Sequence, residues 1–214
     1  MNKIPNEKKL LNLFVDYEGK NTRFINPFLY KPMKSVVATD AHALIIIENT
    51  LTEKEYYELE NAPCIENVIP KKGEKFRLIK ERLNKSYADI PTSKINKCPE
   101  CGGSGENVAI CESKCGERDA FIEVKCPFCD NGVVIGEERK DFRYYVRIKG
   151  AFFSMILIEK LIEAMSLLNV TEANAMLEGN KLYVKFLPGV RCIIMGYLPE
   201  LVEYYTVMEE GGAQ

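Results

Sequence analysis

The most regular alternation of apolar and polar positions lies in the last third of the chain. A strand is predicted over 143–152, followed by a helix that Ser154 caps. The helix has a single apolar stripe at the i, i+3, i+4, i+7 spacing, formed by Ile158, Leu161, Ile162, Met165 and Leu168. Three strands follow, over 173–177, 182–187 and 190–195, separated by glycine-containing turns. The pattern therefore predicts the order strand, helix, strand, strand, strand.

The first 60 residues show a related but less regular pattern. A helix capped by Asn6 is predicted over 6–16, followed by strands over 23–30, 34–38 and 43–48. The third strand is a near-continuous apolar run, which indicates burial. Two further helices are predicted over 52–60, capped by Thr52, and over 74–85, where Phe76, Ile79 and Leu83 share one side. The two ends of the chain are thus an approximate internal repeat.

Composition places the chain among ordinary globular proteins. It has 214 residues, of which 46% are hydrophobic and 28% charged, and a net charge of −2. Binding to nucleic acid would therefore need a local basic patch. No apolar run approaches the roughly 20 residues of a membrane span, and the N-terminus has no hydrophobic signal core. These features predict a cytoplasmic protein with reduced thiols and no membrane partner.

Two Cys-x-x-Cys pairs carry the strongest chemical signal. Cys98 and Cys101 form the first pair, and Cys126 and Cys129 form the second after 24 intervening residues. Each pair is followed by glycine, and four converging thiolates are the ligands of a structural zinc ion. Two disulfides or four unliganded thiols are the alternatives, but disulfides need an oxidising compartment. The sequence predicts one zinc ion held by these four cysteines in a module over 95–137.

A looser pair, Cys111 and Cys115, lies between the two motifs. These two cysteines could replace one of the pairs, contribute to a second site or remain free. Short strands are predicted on either side of the second motif, over 120–124 and 133–135.

The segment from 66 to 97 is locally basic, with nine Lys or Arg against four Asp or Glu. A solvated connecting segment is the simpler interpretation, and a nucleic-acid-binding patch is the alternative. The candidate contacts to phosphate are Lys71, Lys72, Lys75, Arg77, Lys80, Arg82 and Lys85.

Catalysis is not expected. Four thiolates leave no open position on zinc, and no nucleotide-binding or hydrolase motif is present. His42 is the only histidine of the chain. A turn residue whose ring bonds to backbone groups is a simpler role for it than a ligand or a catalytic base.

Two stretches resemble the bacterial sliding clamp, the β subunit of the replicative DNA polymerase. Residues 36–44, Val-Val-Ala-Thr-Asp-Ala-His-Ala-Leu, are similar to the family's V-A-T-D-G-H-R-L strand-turn-strand. Residues 151–198 resemble its helix and three strands, and 192–198 resemble its closing V-V-M-P-M-R-L. The resemblance covers under half of the chain. It implies a clamp-like domain, of which the family uses three per subunit in a ring around DNA.

The resemblance also implies a pocket for a partner peptide. Carried over residue by residue, its members are Thr39, Ala41, His42, Ala43, Leu44, Ile193 and Met195. In the family the two sets come from adjacent domains, which implies here that they meet only between protomers. Ala41 and Ala43 stand where the family has glycine and arginine.

The cysteine region has a resemblance of its own. Residues 98–105 match the C-x-x-C-x-G-x-G repeat of DnaJ-type co-chaperones, and 126–132 match it partly. That family has four repeats and two zinc ions, so the resemblance implies a smaller module that binds protein or nucleic acid.

Together these observations predict an α+β protein with one clamp-like domain, built from two βαβββ-type halves, and an inserted zinc module. The predicted divisions are a first half over 1–60, a basic connecting segment over 61–94, the insertion over 95–137, a second half over 138–205 and a flexible tail over 206–214. The predicted function is a non-enzymatic zinc-binding adaptor with a protein partner, in DNA replication or mobile-element DNA processing. A DnaJ-type protein-binding module and direct DNA binding through 66–97 are the alternatives.

Overall fold

The computed structural model describes residues 4, 6–16, 24–48, 56–59, 62–111, 120–197, 202 and 204–208. Along 107–111 and 120–123 it describes the backbone alone. The chain divides into two compact units, one formed by 1–89 with 144–214 and the other by 90–143. Both helices and strands are present, with strands predominating, so the fold class is α+β as predicted.

An eight-stranded sheet is the main element of the larger unit. From the N-terminal part of the chain come β1 (Phe28–Tyr30), β2 (Ser35–Thr39), β3 (Ala43–Glu48), β4 (Tyr57–Glu58) and β5 (Glu74–Ile79). The C-terminal part supplies β12 (Glu172–Glu178), β13 (Lys181–Leu187) and β14 (Val190–Met195). Their order is β4-β1-β2-β3-β14-β13-β12-β5. The two predicted three-strand groups therefore join edge to edge through antiparallel pairing of β3 with β14.

One face of this sheet belongs to the main core. Alternate positions such as Ile45, Ile47 and Ile194 are fully buried, as period-2 patterning requires. Helix α1 (Glu7–Asn12) packs against β2 and against α3 (Met155–Leu167), while α2 (Lys80–Ala88) packs against α3 and β5. The stripe predicted for α3 is confirmed, since Ile158, Leu161 and Met165 are completely buried.

The opposite face carries a second apolar cluster. Phe28, Val37, Leu44, Ile46 and Ile193 are buried there together with Tyr30 and Ile65. Leu59 and residues of segment 62–69, among them Val68 and Ile69, pack against this cluster. The eight-stranded sheet is therefore covered on both faces where the two three-strand groups meet.

A smaller sheet completes the larger unit. It has the order β11-β10-β15, with β10 (Tyr144–Ile148) antiparallel to β11 (Ala151–Ser154) and parallel to β15 (Tyr204–Val207). The strand predicted over 143–152 is thus two strands, separated by a turn at Lys149 and Gly150. Lys149 has a φ of 55°, the left-handed conformation that such a tight turn requires.

The smaller unit contains two separate two-stranded ladders. Strand β6 (Thr92–Lys97) pairs with β9 (Val133–Lys140), and β7 (Glu106–Cys111) pairs with β8 (Ala120–Lys125). The two predicted strands of this region are confirmed as parts of β8 and β9. Among its described side chains, the buried apolar ones are Ile90, Cys98 and Cys126, so the cysteines supply most of this small core.

Several local predictions were wrong. Glu74–Ile79 forms edge strand β5 rather than the first half of a helix, and the helix begins only at Lys80. Tyr57–Glu58 is a strand, while Thr52 lies outside the described residues. Neither Asn6 nor Ser154 caps its helix through the side chain, and the Asn6 amide instead donates to the Leu167 carbonyl at 3.1 Å.

Candidate functional site: an apolar groove and a four-cysteine cluster

The turn between β2 and β3 is fixed by its own polar side chains. Asp40 accepts hydrogen bonds from the backbone N–H groups of His42 and Ala43 at 2.9 and 2.7 Å. The Thr39 hydroxyl donates to the Ala43 carbonyl at 2.7 Å and accepts from the Ala41 N–H at 3.0 Å. This network satisfies backbone groups across the turn, so the shape of the turn is held by its own side chains.

Ala41 adopts a φ of 74° within this turn. The left-handed conformation brings Cβ of a non-glycine residue too close to its own backbone and costs roughly 1–2 kcal/mol. Ala41 therefore introduces strain into an otherwise well-bonded turn.

Asp40 also ties the turn to the core. Its second carboxylate oxygen lies 2.6 Å from Lys160 Nζ on α3, and the side chains of Asp40 and Lys160 are only 18% and 17% exposed. Lys160 Nζ is also 5.9 Å from the ring centroid of Phe14. Both side chains are partly buried, so a substitution that removes one of them would leave the other as a largely desolvated, unpaired charge and would be destabilising.

The turn contacts the closing strand directly. The Met195 N–H donates to the His42 carbonyl at 2.9 Å, and the β3–β14 register places Ile193 opposite Leu44. The expectation that these two sets of residues meet only between protomers was therefore wrong. The pairing of β3 with β14 brings them together within one chain.

These residues line an open groove of about 240 Å³. All seven residues that the clamp resemblance implied are among its lining residues. The exposed side chain of His42 stands at the rim. The sequence did not indicate the remaining lining residues, which are Phe24, Phe28, Pro63, Cys64, Ile65 and Val68.

A network of side-chain hydrogen bonds fixes the side of the groove that the sequence did not indicate, around Ile65. Ile65–Asn67 is a short 3-10 turn, and the Tyr30 hydroxyl donates to Glu66 Oε2 at 2.5 Å while accepting from the Ile65 N–H at 3.3 Å. Burial and the hydrogen bond to Glu66 raise the pKa of Tyr30 above its ordinary value. The same hydrogen bond lowers the pKa of Glu66. Tyr30 thus anchors an irregular segment that lacks strand partners at this point.

The four predicted zinc ligands lie together in the smaller unit. The Sγ atoms of Cys98, Cys101, Cys126 and Cys129 all lie within 4.8 Å of one another. Two of the separations are 3.9 Å, for Cys98 with Cys126, and 3.7 Å, for Cys101 with Cys129. A tetrahedron with Zn–S bonds of about 2.3 Å has edges of about 3.8 Å. These two separations match the edges of a tetrahedral zinc site.

The backbone of the cluster is arranged symmetrically. The Cys98 N–H donates to the Gly132 carbonyl and the Cys126 N–H to the Gly105 carbonyl, both at 2.8 Å. The N–H groups of Gly105 and Gly132 in turn lie 3.3 Å from Sγ of Cys101 and Cys129. Both glycines have positive φ, and a Cβ on Gly132 would lie 2.1 Å from the Gly103 carbonyl oxygen. The glycines after each motif are thus needed for this close approach.

The thiols differ in their electrostatic environment. Burial raises the pKa of Cys101, but N–H groups of Gly105 and Gly103 donate to its sulfur, and the net effect lowers this pKa to about 6. Burial raises the pKa of Cys129 to about 12. Clustered thiols of this kind share few negative charges in the absence of a cation, and a divalent metal would displace the remaining protons.

Of the other cysteines, the two whose side chains the structure describes, Cys64 and Cys192, do not join this cluster. Cys64 lines the groove, and Cys192 is fully buried in β14, where burial raises the pKa of its thiol. The side chain of Cys111 and all of Cys115 lie outside the described residues, so their role stays a prediction.

The seven predicted phosphate contacts are distributed over a turn, a strand and a helix. Lys71 and Lys72 lie in the turn before β5, and Lys75 and Arg77 lie on β5. Lys80, Arg82 and Lys85 lie on α2. The segment that looked like one basic stretch is therefore divided between a sheet edge and a helix.

Among the described residues, no helix is long and apolar enough to cross a membrane.

Comparison with known proteins gives structural neighbours alone. No protein-family profile matches the chain, and no curated protein matches it in sequence. Solved structures that superpose on it include three bacterial sliding clamps. The DNA polymerase III β subunit of Borrelia burgdorferi, in complex with a natural product, is 14% identical with a TM-score of 0.46, over 89% of this chain and 60% of that one.

The Helicobacter pylori β clamp bound to a DNA ligase peptide is 12% identical with a TM-score of 0.47, over 89% of this chain and 62% of that one. The Thermotoga maritima β subunit is 12% identical with a TM-score of 0.46, over 89% and 63%. The chain thus spans less than two thirds of the length of these clamps.

Proposed function

We propose that this protein is a non-enzymatic, zinc-binding adaptor that captures a short apolar segment of a protein partner in the groove between β3, β14 and segment 62–69. We further propose that it acts in DNA replication or in the processing of mobile-element DNA, as its sequence resemblance to sliding clamps implies. The observation that carries the proposal is the groove. Every residue that the resemblance assigned to a peptide pocket lines it.

The size and lining of the groove favour a peptide over a small metabolite. Pockets for drug-sized ligands enclose about 300–1,000 Å³ and contain several convergent polar groups. This groove encloses about 240 Å³, and most of its lining side chains are apolar. It is large enough for a few apolar side chains, which are the anchors that typically dominate peptide and protein recognition.

The groove is also rigid before any partner binds. Its two sides are fixed by the Asp40 and Thr39 turn network and by the Tyr30–Glu66 hydrogen bond. A preformed site loses little conformational entropy on binding, which favours measurable affinity from a small contact area.

The cysteine cluster supports a structural zinc ion as the cofactor. Four thiolates at tetrahedral spacing fill the coordination sphere, so no position remains for a substrate or an activated water. Zinc held in this way stabilises the fold of the smaller unit and takes no part in chemistry.

Selection from a displayed library of random linear peptides tests the groove. Immobilised zinc-loaded protein should enrich sequences with two or more closely spaced apolar residues. A synthetic peptide of the enriched type should bind with a roughly micromolar dissociation constant in fluorescence anisotropy. Replacing Met195 and Val68 with glutamine should weaken binding about tenfold or more, because apolar contacts are lost at the anchor site.

Ile156→Gln is the matched control, since Ile156 is a half-exposed residue of α3 and does not line the groove. Equal urea midpoints for all three proteins would show that the groove variant is folded. No enrichment, or enrichment that the groove variant leaves unchanged, would refute the proposal.

A second candidate function is protein binding by the smaller unit itself. Phe128, inside the second cysteine motif, is 65% exposed, and Ile135 on β9 is 88% exposed. Exposed large apolar side chains next to a structural zinc site favour a docking role. Phe128→Ser should then reduce capture of an unfolded model protein without loss of bound zinc, and unchanged capture would exclude this function.

A further inference from the structure

The groove floor continues along one face of the eight-stranded sheet. Residues directly opposite one another on successive strands project to the same face. From β3 to edge strand β5, one such row consists of Leu44, Ile193, Tyr183, Met176 and Lys75. The row connects the groove with the edge of the sheet without crossing to the other face.

Polarity changes steadily along this row. Leu44 and Ile193 are buried in the groove floor, while Tyr183 and Met176 are half-buried. Tyr183 packs against the apolar cluster beneath the groove. Lys75, at the edge strand, is exposed. A chain that leaves the groove in this direction passes from an apolar floor, over an amphipathic strip, to a cation.

Lys75 is not the only cation at the end of the row. Arg77 lies two residues further along β5, on the same face, and the adjacent row links it through Asn174 to Lys185 on β13. Arg77 and Lys185 are both exposed. Among the described residues, no ion pair involves Lys75, Arg77 or Lys185. We refer to these three residues as the cationic strip.

The acidic groups on this face leave most of that charge unneutralised. Glu48 is paired with Arg191, and Glu178 lies directly opposite Lys181. Glu172 is opposite Ile79, and among the described carboxylates on this face of the sheet it is the one with neither an ion pair nor a cation directly opposite. Three exposed cations against one such carboxylate form a local positive surface on a chain whose net charge is −2.

We infer that the cationic strip binds acidic residues of the same peptide that fills the groove, so that the partner segment consists of an apolar anchor followed by an acidic flank. This inference rests on the proposed function. Neighbouring strands are about 4.8 Å apart, and three intervals from β14 to β5 span about 14 Å. An extended peptide rises about 3.3 Å per residue, so the acidic residues lie about four positions from the anchor.

Continuity with the groove favours an acidic peptide over nucleic acid as the occupant. The surface between groove and cations includes the half-buried Tyr183 and Met176 but no cation in the row itself, which suits the side chains of a polypeptide better than a continuous phosphate backbone. The remaining predicted phosphate contacts on α2 lie on a different element and do not extend the cationic strip.

Fluorescence anisotropy with matched peptides tests the inference. One peptide carries a leucine pair followed, about four residues later, by a glutamate cluster. The second has serine and the third has lysine in place of the glutamates. We expect the acidic peptide to bind about tenfold more tightly than the serine peptide at low salt, and the lysine peptide to bind most weakly. The difference should shrink towards physiological salt, because exposed charges are screened.

Charge reversal on the protein locates the effect. Lys75→Glu with Arg77→Glu should abolish the preference for the acidic peptide and leave the affinity for the serine peptide unchanged. Lys8→Glu with Lys9→Glu, on α1, changes the net charge equally and should leave the preference intact.

Equal binding of all three peptides would overturn the inference while the groove proposal stands. Binding of none of them would refute the groove itself. Tight binding of a duplex oligonucleotide that is lost in the Lys75 and Arg77 variant would assign the cationic strip to nucleic acid, and would also overturn the inference.

Discussion

Removing zinc should unfold the smaller unit and leave the larger one folded. The unit 90–143 buries few described apolar side chains, chiefly Ile90 besides two of the cysteines. Full burial of one such side chain contributes about 1.5–3 kcal/mol, whereas structural zinc contributes about 10–16 kcal/mol at neutral pH. A unit of about 50 residues with so small a core cannot offset its conformational entropy without the metal.

Hydrogen exchange with and without a chelator measures this effect. After chelation we expect the amides of the β6–β9 ladder to lose protection, while those of the β3–β14 ladder keep theirs. Cys126→Ser should reproduce the chelated state in the presence of zinc. Cys64→Ser is the matched control, because Cys64 lies outside the cluster and belongs to the larger unit.

Persistent protection of the β6–β9 ladder after complete zinc removal would refute this reasoning. It would mean that packing within the unit, rather than the metal, maintains its fold. Metal analysis of the purified protein provides the accompanying stoichiometry, which should fall below one zinc per chain in the Cys126 variant alone.

Three further outcomes are expected. Ala41→Gly should raise the free energy of unfolding, measured in urea, by about 0.5–1 kcal/mol. Glycine removes the strain of the positive φ of 74°, and this gain outweighs the added conformational freedom of the unfolded chain. A lower free energy of unfolding would show that Ala41 is not strained. Gly132→Ala should weaken zinc affinity in a chelator competition, because its Cβ would lie 2.1 Å from the Gly103 oxygen. Gly102→Ala also places alanine at a positive φ, but its Cβ would have no atom within 4 Å, so its effect should be smaller and measures the φ strain alone. The stability difference between the wild type and Tyr30→Phe should be constant between pH 4.5, the ordinary pKa of glutamate, and pH 10.0, the ordinary pKa of tyrosine. It should shrink as pH rises through the raised pKa of Tyr30, because the hydroxyl loses its proton, and as pH falls through the lowered pKa of Glu66, because the carboxylate gains one. A constant difference at all pH values would exclude this contribution.

Local sequence patterns correctly predicted two kinds of feature: a strand that is buried along its whole length, and ligand residues that lie close together in sequence. Strand β3 matches its predicted bounds, 43–48, because an uninterrupted apolar run is compatible with little else in this position. The cysteine cluster was predictable because each Cys-x-x-Cys pair places two thiols within one turn. The antiparallel pairing of β7 with β8, together with the backbone hydrogen bonds of Cys98 and Cys126, brings the two pairs together across the 24 intervening residues.

Elements that depend on distant partners could not be predicted in the same way. Phe76, Ile79 and Leu83 fit a helical spacing, but Phe76 and Leu78 also fit a strand, and pairing with β12 selects the strand. Periodicity alone cannot decide between the two, because the deciding hydrogen bonds come from residues almost 100 positions later.

Only one side of the groove could be predicted, because the residues of the other side depend on distant partners. Its turn residues carry a recognisable motif, whereas Pro63, Cys64 and Val68 belong to an irregular segment without periodicity. Their position depends on the Tyr30–Glu66 hydrogen bond, and no sequence pattern predicts that bond. The edge-to-edge joining of β3 and β14, which places both sets of groove residues in one chain, was likewise invisible from the sequence.

The pairing of β3 with β14 has a consequence for synthesis on the ribosome. Leu44 leaves the ribosome long before its partner Ile193, which is translated about 150 residues later, or about 7–30 s at ordinary elongation rates. During that interval the apolar strand 43–48 has no neighbour on one edge, while the zinc module has both of its cysteine pairs available as soon as Cys129 emerges. The groove between β3 and β14 therefore forms only after β14 has been translated, and it cannot engage a partner before then.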